Sequence, residues 1–164
     1  MTTTHHLIIL SIETDEIIRT VDADLFCNYK GNLYTVAKQQ LSLNETVLIS
    51  ALPEGNNAEL FITDFSIFYW CEQTLYQYNL NGELIKTYSR TSCINTESHS
   101  LICKQNKHGN SIILRITPNS VSEFPVTIPF ITLEQNDSYF VIPSKFEFQI
   151  ISFENGNVLS YQYK

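Results

Sequence analysis

Residues 59–89 read ELFITDFSIFYWCEQTLYQYNLNGELIKTYS, and the pattern of this segment predicts four short strands. Short runs of β-branched, aromatic and leucine residues alternate with polar residues over lengths typical of strands. Asn81-Gly82 predicts a turn before the last run, because both residues tolerate a positive φ. The predicted strands are Leu60–Thr63, Ile67–Cys71, Leu75–Leu80 and Leu84–Tyr88. Four antiparallel strands in so short a stretch form one meander, which has the size of a β-propeller blade.

A similar strand–turn–strand pattern returns along the chain, as a single blade requires, because one blade cannot be stable without neighbours. The four segments are Leu25–Ala37, Ile67–Leu80, Leu101–Thr117 and Phe148–Tyr163. Their predicted turns are Gly31-Asn32, Gln73-Thr74, Gly109-Asn110 and Gly156-Asn157. These turns are separated by roughly 36 to 47 residues, which is the period of a four-stranded blade. The pattern predicts a positive φ at or beside each of the three glycines.

The predicted fold class is therefore all-β, with antiparallel β-meanders that form about four propeller-like blades in a single domain. The predicted repeats cover residues 7–52, 58–90, 98–128 and 130–164. A short helix over Thr35–Leu43 is the one helical alternative, and continued strand and loop are favoured there. A β-barrel or a β-sandwich is the alternative way to close the same strands.

The apolar positions of these strands predict a core. Its predicted members are Leu25, Phe26, Leu33, Leu48, Phe61, Ile67, Phe68, Trp70, Leu75, Ile102, Ile113, Leu114, Val141, Phe148, Ile150 and Leu159. Pro125 marks Val121–Ile128 as an edge or interrupted strand, because proline cannot donate to a ladder. The two terminal strands, Leu7–Ile12 and Val158–Tyr163, are apolar and are predicted to be buried rather than guarded edges.

The segment Leu75–Tyr88, LYQYNLNGELIKTY, resembles the third and fourth strands of a WD40 repeat. Repeats of that family have an apolar strand that ends in Trp-Asp, a short turn with glycine, and a last strand. Here Tyr78-Asn79 stands in the place of Trp-Asp, and Asn81-Gly82 makes the turn. The chain has no Trp-Asp pair and no Gly-His pair before a blade, so the family's Asp–His network is not implied. The resemblance implies a degenerate WD40-like β-propeller.

The predicted number of blades bears directly on function. WD40 propellers usually close with about seven blades, whereas this chain has room for four. A compact four-bladed propeller would seal itself, and an open half-propeller would leave blade edges uncovered. Large uncovered apolar faces are rare on soluble monomers. We therefore expect a protein partner or a second copy to cover the open edges.

Composition and charge exclude several classes of function. Of the 164 residues, 43% are hydrophobic and 16% are charged, which predicts a folded chain. The net charge of −7 disfavours nucleic acid as a direct ligand, because phosphate binding needs a basic surface. No apolar run reaches the length of a membrane span, and the N-terminal MTTTHHLIILSIETDE lacks a basic region before its short apolar run. The expected location is intracellular, either cytoplasmic or nuclear.

Catalytic motifs are missing from the sequence. It has no Gly-x-Ser-x-Gly elbow, no P-loop, no Gly-x-Gly-x-x-Gly and no His-Glu-x-x-His. The four cysteines, Cys27, Cys71, Cys93 and Cys103, lack Cys-x-x-Cys spacing and are expected to be buried thiols. The alternatives are one disulfide or a metal site built from the comparable positions of Cys27, Cys71 and Cys103. We predict no catalytic residue, no cofactor and no bound metal.

Aromatic residues concentrate in the central strands. Tyrosine and tryptophan dominate the energetics of protein interfaces, and they also fill the cores of β-proteins. The predicted partner-interface residues are Ile9, Tyr69, Trp70, Tyr76, Tyr78 and Tyr161. The predicted function is a non-catalytic protein–protein interaction module, a propeller-like scaffold subunit of a larger intracellular assembly. The alternatives are a small-ligand or glycan-binding β domain and a hydrolase that acts on glycans.

Overall fold

A computed structural model gives the fold and describes residues 6–10, 13–14, 16–97, 99–107, 110–128, 134–135 and 138–163. The described residues contain no helix, and their strands form one hairpin and four four-stranded antiparallel meanders. The hairpin pairs β1 (His6–Leu10) with β2 (Ile17–Asp22). The all-β prediction is confirmed. The stretch Thr35–Leu43 continues as strand, turn and strand, as favoured.

Each sheet follows the chain in order. The first sheet contains β3 (Leu25–Tyr29), β4 (Asn32–Ala37), β5 (Gln40–Leu43) and β6 (Thr46–Ile49). The second sheet contains β7 (Glu59–Ile62), β8 (Ile67–Cys71), β9 (Thr74–Tyr78) and β10 (Leu84–Ser89). The third sheet contains β11 (Thr91–Glu97), β12 (Ser100–Lys107), β13 (Asn110–Ile116) and β14 (Val121–Val126). The fourth sheet contains β15 (Glu134–Gln135), β16 (Tyr139–Pro143), β17 (Glu147–Ser152) and β18 (Val158–Gln162).

The chain forms two compact units, Met1–Thr87 and Tyr88–Lys164. In the first unit, the facing sides of the first two sheets bury a shared core. Members of this core in the strands include Val36, Leu41, Ile62, Ile67 and Cys71. The first strands of the two sheets, β3 and β7, lie next to one another. Alternation along each strand sends these residues to one side of the sheet, so burial there stabilises both sheets at once.

The second unit has its own core between the third and fourth sheets. It is formed by Ile102, Ile113, Phe124, Val126, Ile128, Phe140, Ile142 and Ile151, with Phe153 packed against it. Phe140 is at the centre, with its ring edge-on to Phe124 at 5.4 Å and to Phe153 at 4.4 Å between centroids. The Arg115 guanidinium lies 4.4 Å from the Phe153 ring centroid and covers one side of this aromatic group. Pro125 lies in β14, the last strand of its sheet, so the predicted edge position is confirmed.

Two of the tight turns differ from the predicted ones by one residue. The first hairpin turns at Lys30-Gly31, with φ values of 51° and 79°, because Asn32 already pairs with Tyr29 in the ladder. The central hairpin turns at Glu72-Gln73, with φ values of 47° and 66°. Two-residue loops with both φ values positive match the twist of the flanking strands.

The glycine predictions are confirmed where the structure describes them. Gly31 has a φ of 79° and Gly156 has a φ of 69°. Gly82, in the turn predicted at Asn81-Gly82, has a φ of 87°. Gly109 lies outside the described residues.

Several core predictions fall on the wrong side of a sheet. Phe26 and Leu159 are 58% and 55% exposed. The neighbours of Phe26 in β3, Leu25 and Cys27, pack against the core instead. The terminal strand predicted over Val158–Tyr163 to be buried is wrong in the same way, since every described residue of β18 is exposed. In the fourth sheet, Phe140, Ile142 and Ile151 are fully buried, whereas the predicted Val141 and Ile150 lie on the opposite side and are half-buried. The predicted core residues that are fully buried are Ile67, Phe68, Leu75, Ile102, Ile113 and Leu114.

Candidate protein-contact surface

One side of the fourth sheet presents apolar residues to solvent. The register of β16, β17 and β18 places alternate residues on that side, opposite the core that contains Phe140. We call this side the open face, and its members are Val141, Pro143, Phe146, Phe148, Ile150, Leu159, Tyr161 and Tyr163. Phe146 and Tyr163 extend the face beyond the strand ends, where the Tyr163 N–H donates to the Phe146 carbonyl at 3.0 Å.

The rings of the open face are ordered against one another. Phe148 and Tyr161 stack with centroids 5.0 Å apart and an interplanar angle of 13°, and Tyr163 lies 5.7 Å from Phe148. Phe146 is 70% exposed, and the Lys145 ammonium lies 5.1 Å from its ring centroid. The stack holds the aromatic side chains in place before any partner arrives, which lowers the entropy lost on binding.

The exposed apolar area of the open face is in the range of known interaction patches. Phe146, Leu159, Tyr161 and Tyr163 are between 46% and 70% exposed. Taking about 200 Å² for an aromatic side chain, their exposed surface comes to roughly 400 Å². The largest apolar patch on a typical monomer spans about 300–600 Å² and is often functional. The open face therefore has the size of an interaction patch.

Charge is distributed unevenly along the chain. Residues 88–164 contain six Lys and Arg and six Asp and Glu, so this half is neutral. Residues 1–87 contain four Lys and Arg and eleven Asp and Glu, and they account for the whole net charge of −7. The members of the open face are all uncharged. A partner can therefore approach this face without a large Coulomb penalty.

Five of the predicted interface residues lie in the first unit, and four of these belong to β8 and β9 of its second sheet. Tyr69 and Tyr78 are only 5% exposed and belong to its core, and Trp70 and Tyr76 are half-buried. The Tyr69 hydroxyl donates to the Pro53 carbonyl at 3.2 Å, and the ring lies 6.4 Å from that of Tyr76. Burial raises the pKa of Tyr69 to about 12. Tyr69, Tyr76 and Tyr78 therefore pack in the core that the first two sheets share.

The last two predicted interface residues lie at the two ends of the chain. Ile9 is half-buried in the N-terminal hairpin, opposite Arg19. Arg19 in turn reaches Glu45 at 2.6 Å and connects the hairpin to the first sheet. Tyr161 is 46% exposed and stands in the middle of the open face. The structure therefore places Tyr161 with Phe146, Phe148 and Tyr163, which the sequence reasoning did not single out as interface residues.

The described cysteines are poor candidates for chemistry. Cys71 and Cys103 are buried, Cys27 is half-buried, and all three are free thiols. Burial raises the pKa of each, and that of Cys103 to about 12, which keeps the thiol protonated and unreactive. Cys93 lies opposite Cys103 in the ladder, and its side chain is outside the described residues. Within the described ranges, no group of His, Cys, Asp and Glu side chains is placed to hold a metal ion.

A polar contact that the sequence reasoning missed connects the first two sheets. The Tyr29 hydroxyl donates to the Asp64 carboxylate at 2.7 Å, and the Lys30 ammonium contacts the same oxygen. Asp64 follows β7, so the contact fastens the turn of the first hairpin to the loop between β7 and β8. The sequence indicates only a turn-forming Asp at this position, because the two partners are more than thirty residues away.

Among the described residues, no helix is long and apolar enough to cross a membrane. The chain matches no protein-family model and no curated protein sequence. The WD40 resemblance of Leu75–Tyr88 therefore stays a prediction.

Proposed function

We propose that this chain is a non-catalytic protein–protein interaction module, a propeller-like scaffold subunit of a larger intracellular assembly, cytoplasmic or nuclear. The open face carries the proposal. It combines exposed aromatic rings, uncharged members on β16 to β18 and a size in the range of functional patches. Tyrosine and phenylalanine in such a setting supply large contact area at low cost in side-chain entropy.

The propeller-like part of the proposal is supported by the order of the sheets. Four successive stretches of chain each form a four-stranded up-and-down meander, as successive blades do. The first strands of the first two sheets are neighbours, and blades meet along their first strands around a propeller axis. This architecture supports the proposal of a scaffold role, because an array of meanders presents many edges and faces for contact with other proteins.

The partner is expected to be a protein. A patch of roughly 400 Å² is smaller than the ~800 Å² that each partner of a standard interface buries. The exposed rings would therefore form the central anchor of a larger contact, with polar neighbours at the rim. Lys145 and Glu147, which flank Phe146 in the sequence, are suitable rim residues.

A charge-insertion experiment tests the proposal. The variant Phe146→Lys/Tyr161→Lys places two ammonium groups in the open face, where desolvating them would cost binding energy. The matched control is Ile17→Lys/Ile18→Lys, because both isoleucines are more than 60% exposed and lie in the N-terminal hairpin. Each purified variant is immobilised, checked for native circular dichroism, and used to capture proteins from the native source for quantitative mass spectrometry.

The expected result is a set of proteins retained by the wild type and the control and lost by the open-face variant. The same set on all three proteins would overturn the assignment of the open face. Saturable binding of an oligosaccharide in a glycan array, abolished by the same variant, would instead favour the glycan-binding alternative.

A further inference from the structure

The last strand of the fourth sheet exposes its backbone as well as its side chains. In β17 and β18, the Tyr163 N–H donates to Phe146 and the Ser152 N–H donates to Asn157, so these are hydrogen-bonded pairs. Such pairs recur every second residue in an antiparallel ladder. Leu159 and Tyr161 therefore bond to β17, whereas Val158, Ser160 and Gln162 direct their N–H and C=O groups away from the sheet.

The last strands of the other three sheets carry features that block pairing with another chain. β6 contains a bulge, because the consecutive residues Leu41 and Ser42 of β5 pair with Ile49 and Val47 of β6. β10 contains Lys86, and β14 contains Glu123 and Pro125. Bulges, charges and prolines are the usual means by which edge strands avoid association. β18 has the sequence VLSYQ and a regular register, with no charge, proline or bulge. Among the last strands of the four sheets, in the part of the chain that the structure describes, β18 alone carries none of these features.

We propose that β18 pairs antiparallel with β18 of a second copy of this chain. The register follows from which residues point outward. Ser160 lies opposite Ser160 of the second copy, and Val158 lies opposite Gln162, so every outward N–H and C=O finds a partner. A strand whose outward groups are centred on its own middle residue is complementary to itself, as a two-fold interface requires. This inference names the first partner of the proposed protein-contact module and rests on that proposal.

Side chains and charge also fit a second copy. The register places Leu159 opposite Tyr161 of the second copy, in the closely spaced type of pair that brings side chains into contact. The half of the chain that contains β18 is neutral, so two copies approach without net repulsion there, although the whole chain carries −7. Pairing would join two fourth sheets and two open faces into one continuous surface, which brings the apolar patch close to the size of a standard interface.

Proline at Ser160 tests this arrangement directly. It removes an outward N–H and adds a ring at the edge, while the hydrogen bonds of Leu159 and Tyr161 to β17 are untouched. The side-chain bond from Gln149 Nε2 to the Ser160 hydroxyl, 3.1 Å, is lost as well. The matched control is therefore Ser160→Ala, which loses the same hydroxyl and keeps the N–H. Light scattering over a wide concentration series measures the mass of each protein.

We expect the wild type and Ser160→Ala to reach twice the chain mass and Ser160→Pro to remain at the chain mass with an unchanged circular dichroism spectrum. A wild type that stays monomeric throughout, or a Ser160→Pro variant that dimerises as the wild type does, would overturn the pairing. Amide hydrogen exchange of the wild type gives an answer even if the proline variant fails to fold. Raising the concentration should slow exchange at Val158, Ser160 and Gln162 and leave Leu159 and Tyr161 unchanged, and equal behaviour of both sets would sink the proposal.

The same proteins separate this inference from the proposed function. A monomeric Ser160→Pro variant still carries the open face, so the module proposal requires it to capture the same other proteins as the wild type. If the wild type is monomeric and still captures other proteins, the inference of a dimer is rejected and the proposed interaction module is kept. If the wild type is dimeric and charges in the open face do not change the set of captured proteins, the inference of a dimer is kept and the proposed interaction module is rejected.

Discussion

Replacing Phe140 by Ala should be among the most destabilising single changes in the second unit. The Phe140 side chain is fully buried in β16, with its ring edge-on to Phe124 and Phe153. Alanine would leave a cavity lined by these two rings and by isoleucine side chains, which the flanking sheets cannot fill without shifting their strands. Removing a buried phenylalanine in such a setting costs about 3–5 kcal/mol. Because two aromatic contacts are lost together, we expect a value near the upper end of that range.

The neighbouring residue provides the control. Val141 is half-buried on the open face, so Val141→Ala removes two methyl groups that are only partly withdrawn from water. At about 0.8 kcal/mol for each fully buried methylene-sized group, the expected loss is roughly 1 kcal/mol. The difference between the two variants measures which side of the fourth sheet faces the core.

Urea unfolding followed by two signals is the assay. Trp70 is the only tryptophan and belongs to the first unit, so its fluorescence reports that unit, whereas circular dichroism reports all sheets. We expect Phe140→Ala to shift the circular dichroism transition to lower urea. Equal losses for the two variants, or a larger loss for Val141→Ala, would show that the register of β16 is displaced by one residue, because a slip of one exchanges the two sides of a sheet.

Three further predictions follow from turns, burial and ionisation. Gly156→Val should destabilise the last hairpin by about 1–2 kcal/mol, because the φ of 69° at position 156 strains a β-branched residue. Gly156→Asn should be tolerated, and thermal melts of the two variants compare their stabilities. Trp70→Ala should cost less than Phe68→Ala, since Trp70 is half-buried and Phe68 is fully buried, and urea midpoints that rank them in reverse would contradict the burial. Burial raises the pKa of Tyr69 from 10.0 to about 12, so the folded protein binds the hydroxyl proton more tightly than the unfolded chain does. The protonated Tyr69 hydroxyl therefore contributes its full stabilisation below pH 10, and this stabilisation is lost as the pH rises to 12. Tyr69→Phe should flatten that part of the stability profile, and an unchanged profile would show that another group is responsible.

The succession of strands was predictable because local patterns determine it. Runs such as Ile67–Cys71 and Leu84–Tyr88 combine high β propensity with turn residues on both sides, and both fall on observed strands. The exact turns were less predictable. Lys30-Gly31 and Glu72-Gln73 adopt positive φ values because two-residue hairpin loops must match the twist of the flanking strands. Lys, Glu and Gln rarely adopt positive φ values, so their presence in the sequence does not predict such a turn.

The side of each sheet that faces the core could not be read from the sequence. In Tyr139–Pro143, YFVIP, both alternations are apolar, so Phe140 and Val141 are equally plausible core residues on pattern alone. The choice depends on which neighbour packs against the sheet, and that information lies in distant parts of the chain. The same ambiguity hid the open face, since Val158–Gln162 has the pattern of a buried strand and is nevertheless exposed throughout.

The coincidence of an unguarded edge and an apolar face on the same strand is informative. Each of the other three last strands carries at least one feature that opposes pairing, so the chain uses such features where association must be prevented. On β18 neither the edge nor the open face is protected, although one lysine at Leu159 or Tyr161 would protect both. An accidental exposure would threaten solubility through both routes at once. The unpaired edge and the apolar face of this five-residue strand are both explained if another chain normally covers β18. The self-complementary order of the outward backbone groups of β18 favours a second copy of this chain as that partner.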